Sequence, residues 1–196
     1  MGFVLAGGKS SRMGTDKAFL NFRGQALLHR ALVVMGEACE KVTIVGDPVK
    51  FAEYESTKYG PVLADIFPGC GPLAGIHSAL SQSAAELNLM LAVDMPLVSR
   101  ELLHFLWAVS ETNSAVATVP RVGNGLHPLC AVYRREFSVA AEQALRAGKY
   151  KIDALFSSVS LRVIEENELA AAGFAVKSFF NVNTPQDRLL AEEQSS

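Results

Sequence analysis

The stretch Val4-Leu5-Ala6-Gly7-Gly8-Lys9-Ser10-Ser11-Arg12-Met13-Gly14-Thr15-Asp16-Lys17 gathers the residue types that handle phosphate. The adjacent Gly7 and Gly8 admit backbone conformations and close approaches that a Cβ would block. Successive amides of such a loop can line a concavity for an anion. Lys9, Arg12 and Lys17 put positive charge beside it, and arginine adds two-pronged hydrogen bonding. The segment is not a Walker A loop. G-x-x-x-x-G-K-[ST] ending at Lys9-Ser10 needs a glycine where Phe3 stands.

Asp94 follows the apolar run 87–93 and precedes Met95-Pro96. A lone carboxylate in that place can hold a divalent cation. Magnesium commonly uses one or two carboxylates and completes its shell with water and substrate phosphates. The competing role is a cap or turn aspartate. Asp47 and Asp65 also close apolar runs and could accept hydrogen bonds from a base or ribose; guanine offers N1–H and N2–H donors. Either could instead cap its own loop, and Asp47 before Pro48 suits that role at least as well. A second glycine-rich loop, Gly69-Cys70-Gly71-Pro72-Leu73-Ala74-Gly75, follows Asp65. His29 and His104 fall in helical patterns, His77 lies near the second loop, and His127-Pro128 precedes a strand near the other loops. No Ser/His/Asp order or metal-spaced histidine pair supports hydrolysis.

The elements that must position these residues alternate between apolar runs and helical patterns. That favours an α/β fold with a mostly parallel sheet, a Rossmann-like three-layer sandwich. Strands are predicted over 2–6, 41–46, 61–64, 87–93, 115–119, 127–133, 161–164 and 176–181. Helices are predicted over 25–38, from Pro72 to about Ser83, from a Ser99 cap to about Val109, through Phe137 and Leu145, briefly over 153–156, and from a Thr184 cap with Pro185 in the first turn. Residues 121–125 read as a loop. The run 87–93 has the continuous apolarity of a central strand buried on both faces. In an open parallel sheet, ligands gather beyond the carboxyl ends of the strands. The Gly7–Lys17 loop, Asp47, Asp65 with its glycine loop, and Asp94 all fall at such ends.

The chain has 196 residues, 49% apolar and 19% charged, which suits one globular domain. No linker divides it. Net charge of −2 offers no nucleic-acid surface. Cys39, Cys70 and Cys130 are too far apart for a zinc site and suit a reducing, cytoplasmic setting. No apolar run approaches a membrane span, and no signal peptide is expected.

The first loop resembles the nucleotidyltransferase signature L-A-G-G-x-S-x-R-M-G-x-D-K. More narrowly, the chain resembles molybdenum cofactor guanylyltransferases. The likeness runs on through Gly71-Pro72-Leu73-Ala74-Gly75, Asp94-Met95-Pro96 and Phe180-Asn181-Val182-Asn183-Thr184-Pro185-Gln186-Asp187. It implies a nucleotide-diphospho-sugar-transferase-like fold, with a nucleotide half over about 1–98 and an acceptor half over about 99–190. It implies transfer of GMP from GTP to the phosphate of molybdopterin carrying molybdenum, with release of pyrophosphate.

By the same resemblance, Leu5, Ala6, Gly7 and Gly8 contact the nucleotide, Lys17 its phosphates, and Asp65 the nucleotide. The Gly71, Pro72 and Leu73 turn joins them. Asp94 binds both the nucleotide and Mg2+, with Mn2+ as a substitute. Arg12 and Lys17 offset charge on the leaving pyrophosphate. Asn181 and Asn183 lie on the pterin side. Asp47 stands where the family often has asparagine. Other cofactor-assembly proteins are conceivable partners, although no stripe of residues marks their surface.

The rivals are a cytidylyl enzyme for the same pterin and a sugar-phosphate nucleotidyltransferase. A non-catalytic nucleotide-binding regulator would leave Arg12, Lys17 and Asp94 without work. More distant is a dinucleotide oxidoreductase, since Gly69-Cys70-Gly71-Pro72-Leu73-Ala74 fits G-x-G-x-x-A. Residues 65–68 separate those glycines from the preceding strand, which weakens that reading.

Overall fold

A computed structural model describes residues 1–7, 16–55 and 59–194. Strand β1 (Gly2–Leu5) is followed by the short pair β2 (Asn21–Phe22) and β3 (Gln25–Ala26), then α1 (Leu27–Ala38) and β4 (Val42–Val45). Helix α2 (Pro72–Gln82), β5 (Leu87–Ala92) and α3 (Arg100–Glu111) follow. The second half holds β6 (Ala117–Val122), β7 (Gly125–Leu126), β8 (Cys130–Arg134), α4 (Phe137–Arg146), β9 (Leu161–Ile164), α5 (Glu166–Ala171) and α6 (Pro185–Gln194).

The main sheet runs β4-β1-β5-β8-β6-β7, with β9 alongside β6. Pairs β1–β4, β1–β5 and β6–β9 are parallel, and β8 is antiparallel to both its neighbours. The sheet is therefore mostly parallel, with β8 and the β6–β7 hairpin as its exceptions. Alternate residues of β1 feed opposite faces. Val4 joins the core with Leu28, Leu32 and Leu102 of α1 and α3, while Phe3 and Leu5 pack with Leu73, Ile76 and Phe137 of α2 and α4. Helices cover both faces, so β5 is apolar throughout except for Asn88. Asn88 is buried and satisfied: its Oδ1 accepts from Ser83 Oγ at 2.5 Å, and its Nδ2 donates to the Ala85 carbonyl at 3.1 Å.

The register sets the functional edge. Leu5 pairs with Val45 on one side and Ala92 on the other. Leu63 joins the same row through a single parallel bridge to Val45. Gly7, Asp47, Asp65 and Asp94 each lie two residues beyond a member of that row.

Several elements differ from the sequence expectation. The predicted strand 61–64 contributes only the Leu63 bridge, because Gly60 turns at φ +66° and Pro61 has no N–H to donate. The predicted strand 176–181 is a 3-10 helix over Val176–Phe179. Its apolar pattern reflects Phe179 and Val182 entering the core, not ladder pairing. Helix α1 begins at Leu27, since Gln25–Ala26 pair back onto Asn21–Phe22 around Arg23 and Gly24, both at positive φ. The expected loop 121–125 is the tight β6–β7 hairpin.

The edge tolerates little added volume at one glycine. A Cβ on Gly46 would stand 2.7 Å from Cε2 of the fully buried Phe51. Gly46→Ala should lower the unfolding free energy by about 1–3 kcal/mol through overpacking, read as a shifted urea midpoint at unchanged slope.

Candidate active site

Lys17 opens a 3-10 turn, Lys17–Phe19, capped by Asp16, whose Oδ1 accepts the Ala18 N–H at 2.9 Å. From that turn Lys17 Nζ donates to Asp94 Oδ2 at 3.0 Å and to Asn183 Oδ1 at 2.5 Å. Asp16 has its own counterion in Lys50, which also lies over the rings of Phe19 and Phe51. The neighbouring carboxylate therefore does not draw Lys17 away from Asp94.

Asp94 sits in the turn that leaves β5, with the Met95 N–H bonded to the Ala92 carbonyl at 3.3 Å. Its Oδ2 is taken by Lys17. Its Oδ1 is buried and has no hydrogen-bond partner among the described residues. Such an oxygen is costly unless something binds it. A divalent cation fits. No cluster of three metal-ligating side chains occurs among the described residues, so protein side chains alone would not complete the cation's shell. Water and phosphate would complete its shell, the magnesium pattern.

The far side of the site is a capping box. Asp187 Oδ2 accepts the Asn183 and Thr184 N–H groups at 2.9 and 2.8 Å, and the Asp187 N–H donates to Thr184 Oγ1 at 3.1 Å. The Val182 N–H bonds the Asp94 carbonyl at 2.8 Å. These contacts fix Asn183 against Lys17. Thr184-x-x-Asp187 is a helix-start pattern legible in the sequence, yet only the fold reveals that it holds Asn183 against Lys17.

On the other side of β1, the ladder ends with Ala6 N–H to the Val45 carbonyl at 2.9 Å and Val93 N–H to the Leu5 carbonyl at 3.1 Å. Gly7 then leaves the sheet. A Cβ on Gly7 would lie 3.7 Å from Asp65 Oδ2, and one on Gly75 would lie 3.7 Å from Asp65 Oδ1. Asp65 is thus half-buried between the first loop and the first turn of α2. No hydrogen bond reaches its carboxylate among the described residues, and burial pushes its pKa up. Gly71, at φ +75°, turns the chain into α2, where Pro72 takes the first position and Leu73 is fully buried. Its side chain is therefore closed to a ligand.

Asp47 is exposed and its Oδ1 accepts the Val49 N–H at 2.9 Å, so its carboxylate already serves a local turn. Asn181 stands apart from Asn183 and lines a cavity of about 610 Å³ with His127 and Phe179. The structure brings Lys17, Asp94 and Asn183 into contact, and Gly7, Asp65 and Gly75 into a second group. Gly8 and Arg12, with the rest of 8–15, lie outside the described residues.

A sheet whose parallel carboxyl ends carry a lysine–aspartate pair, with a carboxylate oxygen free for a cation, defines a nucleotidyltransferase. The sequence matches the MobA-like NTP transferase domain over residues 2–163, and the chain belongs to that family. A protein of Pelotomaculum thermopropionicum named "Probable molybdenum cofactor guanylyltransferase" is 38% identical, with 97% of this chain and 93% of that one covered. The molybdenum cofactor guanylyltransferase of Desulfosudis oleivorans is 30% identical over the same shares. The crystal structure of molybdopterin-guanine dinucleotide biosynthesis protein A from Archaeoglobus fulgidus superposes with a TM-score of 0.85 at 29% identity. It covers 99% of this chain and 97% of that chain. The dinucleotide-oxidoreductase alternative loses its basis, since residues 64–68 separate the Leu63 bridge from Gly69 and no tight strand-to-helix turn exists there.

The capping box gives a pH signature. The Asn183 N–H, first among its partners, holds the Asp187 carboxyl below the usual carboxylate range. Its contribution to stability is fully present above the unfolded pKa, about 3.9, and is lost as pH falls through the lower folded pKa. Asp187→Asn should flatten the acid limb of unfolding free energy against pH, measured by urea titration from neutral pH downward.

Proposed function

We propose that this protein transfers GMP from GTP to the phosphate of a molybdopterin-type acceptor carrying molybdenum, releasing pyrophosphate. The observation that carries the reading is the Lys17–Asp94 pair at the carboxyl edge, with Asp94 Oδ1 buried and open. The names of the relatives point to guanine and to the pterin. Residues 1–98 form the nucleotide half in this reading, and residues 99–190 the acceptor half.

An acceptor phosphate oxygen bonds to the α-phosphorus of GTP in line as the α–β bridging bond breaks. The nucleophile is already ionised, so no general base is needed. Two anions must approach each other, and positioning with charge neutralisation supplies the catalysis. Lys17 turns from Asp94 toward the phosphates, guided by Asn183, and offsets charge on the departing pyrophosphate together with Arg12 and the amides of Gly7 and Gly8. Asp94 would hold Mg2+, or Mn2+ in its place, and that cation neutralises phosphate oxygens when bound. Asp65 has a carboxylate free to accept the N1–H and N2–H of guanine. Leu5, Ala6 and the Gly71–Pro72–Leu73 turn line the nucleotide through backbone. Asp47 stands at the rim.

Three unpaired cysteines suit a reducing cytoplasm. Among the described residues, no helix is long and apolar enough to cross a membrane.

Equilibrium binding of GTP, CTP, ATP and NAD in the presence of magnesium tests the reading. GTP should bind selectively, and Asp94→Ala should abolish the metal dependence of that binding. Preference for CTP would move the protein to the cytidylyl branch. Lys17→Ala should lower kcat by roughly 10²–10³-fold, the loss typical of removing one preorganised charge-stabilising group, with guanine selectivity unchanged.

A further inference from the structure

His127-Pro128 has no role in the chemistry above, yet the fold brings it to the functional edge. Strand β8 runs against its neighbours, so its beginning lies where β5 ends. Cys130 pairs with Leu91, and the Leu129 carbonyl accepts the Ala92 N–H at 2.8 Å. The backbone here is held firmly. The His127 N–H donates to the Pro120 carbonyl at 2.9 Å, and Tyr133 Oη donates to the Pro128 carbonyl at 2.8 Å. The imidazole is backed by the buried ring of Phe179, with centroids 4.8 Å apart. It lines the cavity of about 610 Å³ together with Val122, Lys177, Phe180 and Asn181.

The cavity and the reacting centre share one strip of chain. Val182 is fully buried between the exposed Asn181 and Asn183, so both asparagines stand away from the core. Asn181 faces the cavity, and Asn183 bonds Lys17. The two asparagines are two residues apart, at most about 7 Å of chain. That is the reach of a short linker between a flat ring and a phosphate.

We propose that His127 is the stacking platform for the flat heterocycle of the acceptor. In that pose the ring lies in the cavity against the His127–Phe179 pair, Asn181 meets its polar edge, and its phosphate arm extends to Lys17 and Asp94. The cavity suits such a guest: aromatic and aliphatic walls for the ring faces, an amide for the edge, and a cation for an anionic substituent. Lys177 donates to the neutral Gln194 carbonyl at 2.6 Å, and no carboxylate pairs with it among the described residues. Burial lowers the His127 pKa, which keeps the imidazole neutral and able to stack without a desolvated charge. This assignment rests on the guanylyltransferase reading and names the residue that would choose the acceptor.

The test uses pterin-6-carboxylate as probe and follows its fluorescence on titration with wild type, His127→Ala and His127→Phe, with GTP affinity measured on the same samples. Wild type should quench the probe saturably. His127→Ala should bind it about ten-fold more weakly or worse, the cost expected for removing one stacking partner. His127→Phe should stay within a few-fold of wild type, and GTP affinity should be equal in all three. Equal pterin affinity in His127→Ala, or equal loss in both variants with GTP binding intact, overturns the assignment. Wild type that binds GTP but not the pterin also overturns it, with the nucleotide reading standing. Wild type that does not bind GTP overturns the guanylyl reading on which the assignment rests.

Discussion

Parallel pairing of β1 with both β4 and β5 leaves Leu5, Val45 and Ala92 side by side, and Leu63 joins them through its bridge. Everything at the functional edge depends on that row. Side chains two positions further along parallel strands emerge at one level and on one side, because the pleat repeats every two residues. A one-residue slip of β5 would turn Asp94 into the wall of the sheet and send Val93 or Met95 to the edge. The continuous apolar burial of β5 on both faces gives such a slip no polar residue to penalise it except Asn88. Its bonds to Ser83 and to the Ala85 carbonyl exist in only one register.

On that edge the charge balance is local and paired. Lys50 neutralises Asp16, and Lys17 is left to Asp94 and Asn183. The Lys17–Asp94 pair is partly exposed, so its net contribution to folding is small. Its consequence is positional, since it holds an ammonium group beside a buried carboxylate oxygen that the described residues leave unbonded. A carboxylate and an ammonium group are thus held together, each tempering the other's charge.

The end of the chain completes the centre. Residues 182–187 connect β5 to α6 by backbone bonds at Asp94 and Asp187 and deliver Asn183 to Lys17. The first and last thirds of the sequence are thereby tied at the Lys17–Asp94 pair. The antiparallel β8 has a comparable effect, because reversing one strand carries His127 from the middle of the sequence to the same edge.

The sequence by itself determined the glycine and cation pattern of the first loop, the carboxylates after apolar runs and the α/β alternation. These are local properties, written in residue type and period. Family membership was legible in the same residues, since Leu5 to Lys17, Asp94-Met95-Pro96 and Phe180 to Asp187 carry it. Strand 176–181 was misread because apolar alternation records burial, and Phe179 and Val182 are buried without joining a ladder. Strand 61–64 was overextended because Gly60 and Pro61 limit pairing to Leu63. Only tertiary structure decided that the Asp65 carboxylate, between Gly7 and Gly75, accepts no hydrogen bond among the described residues. It alone decided that Asn183 meets Lys17 while Asn181 faces a cavity, and that His127 stands beside it. Those distinctions depend on contacts between residues far apart in the chain, 166 positions for Lys17 and Asn183, and over such separations residue type and spacing carry no directional information.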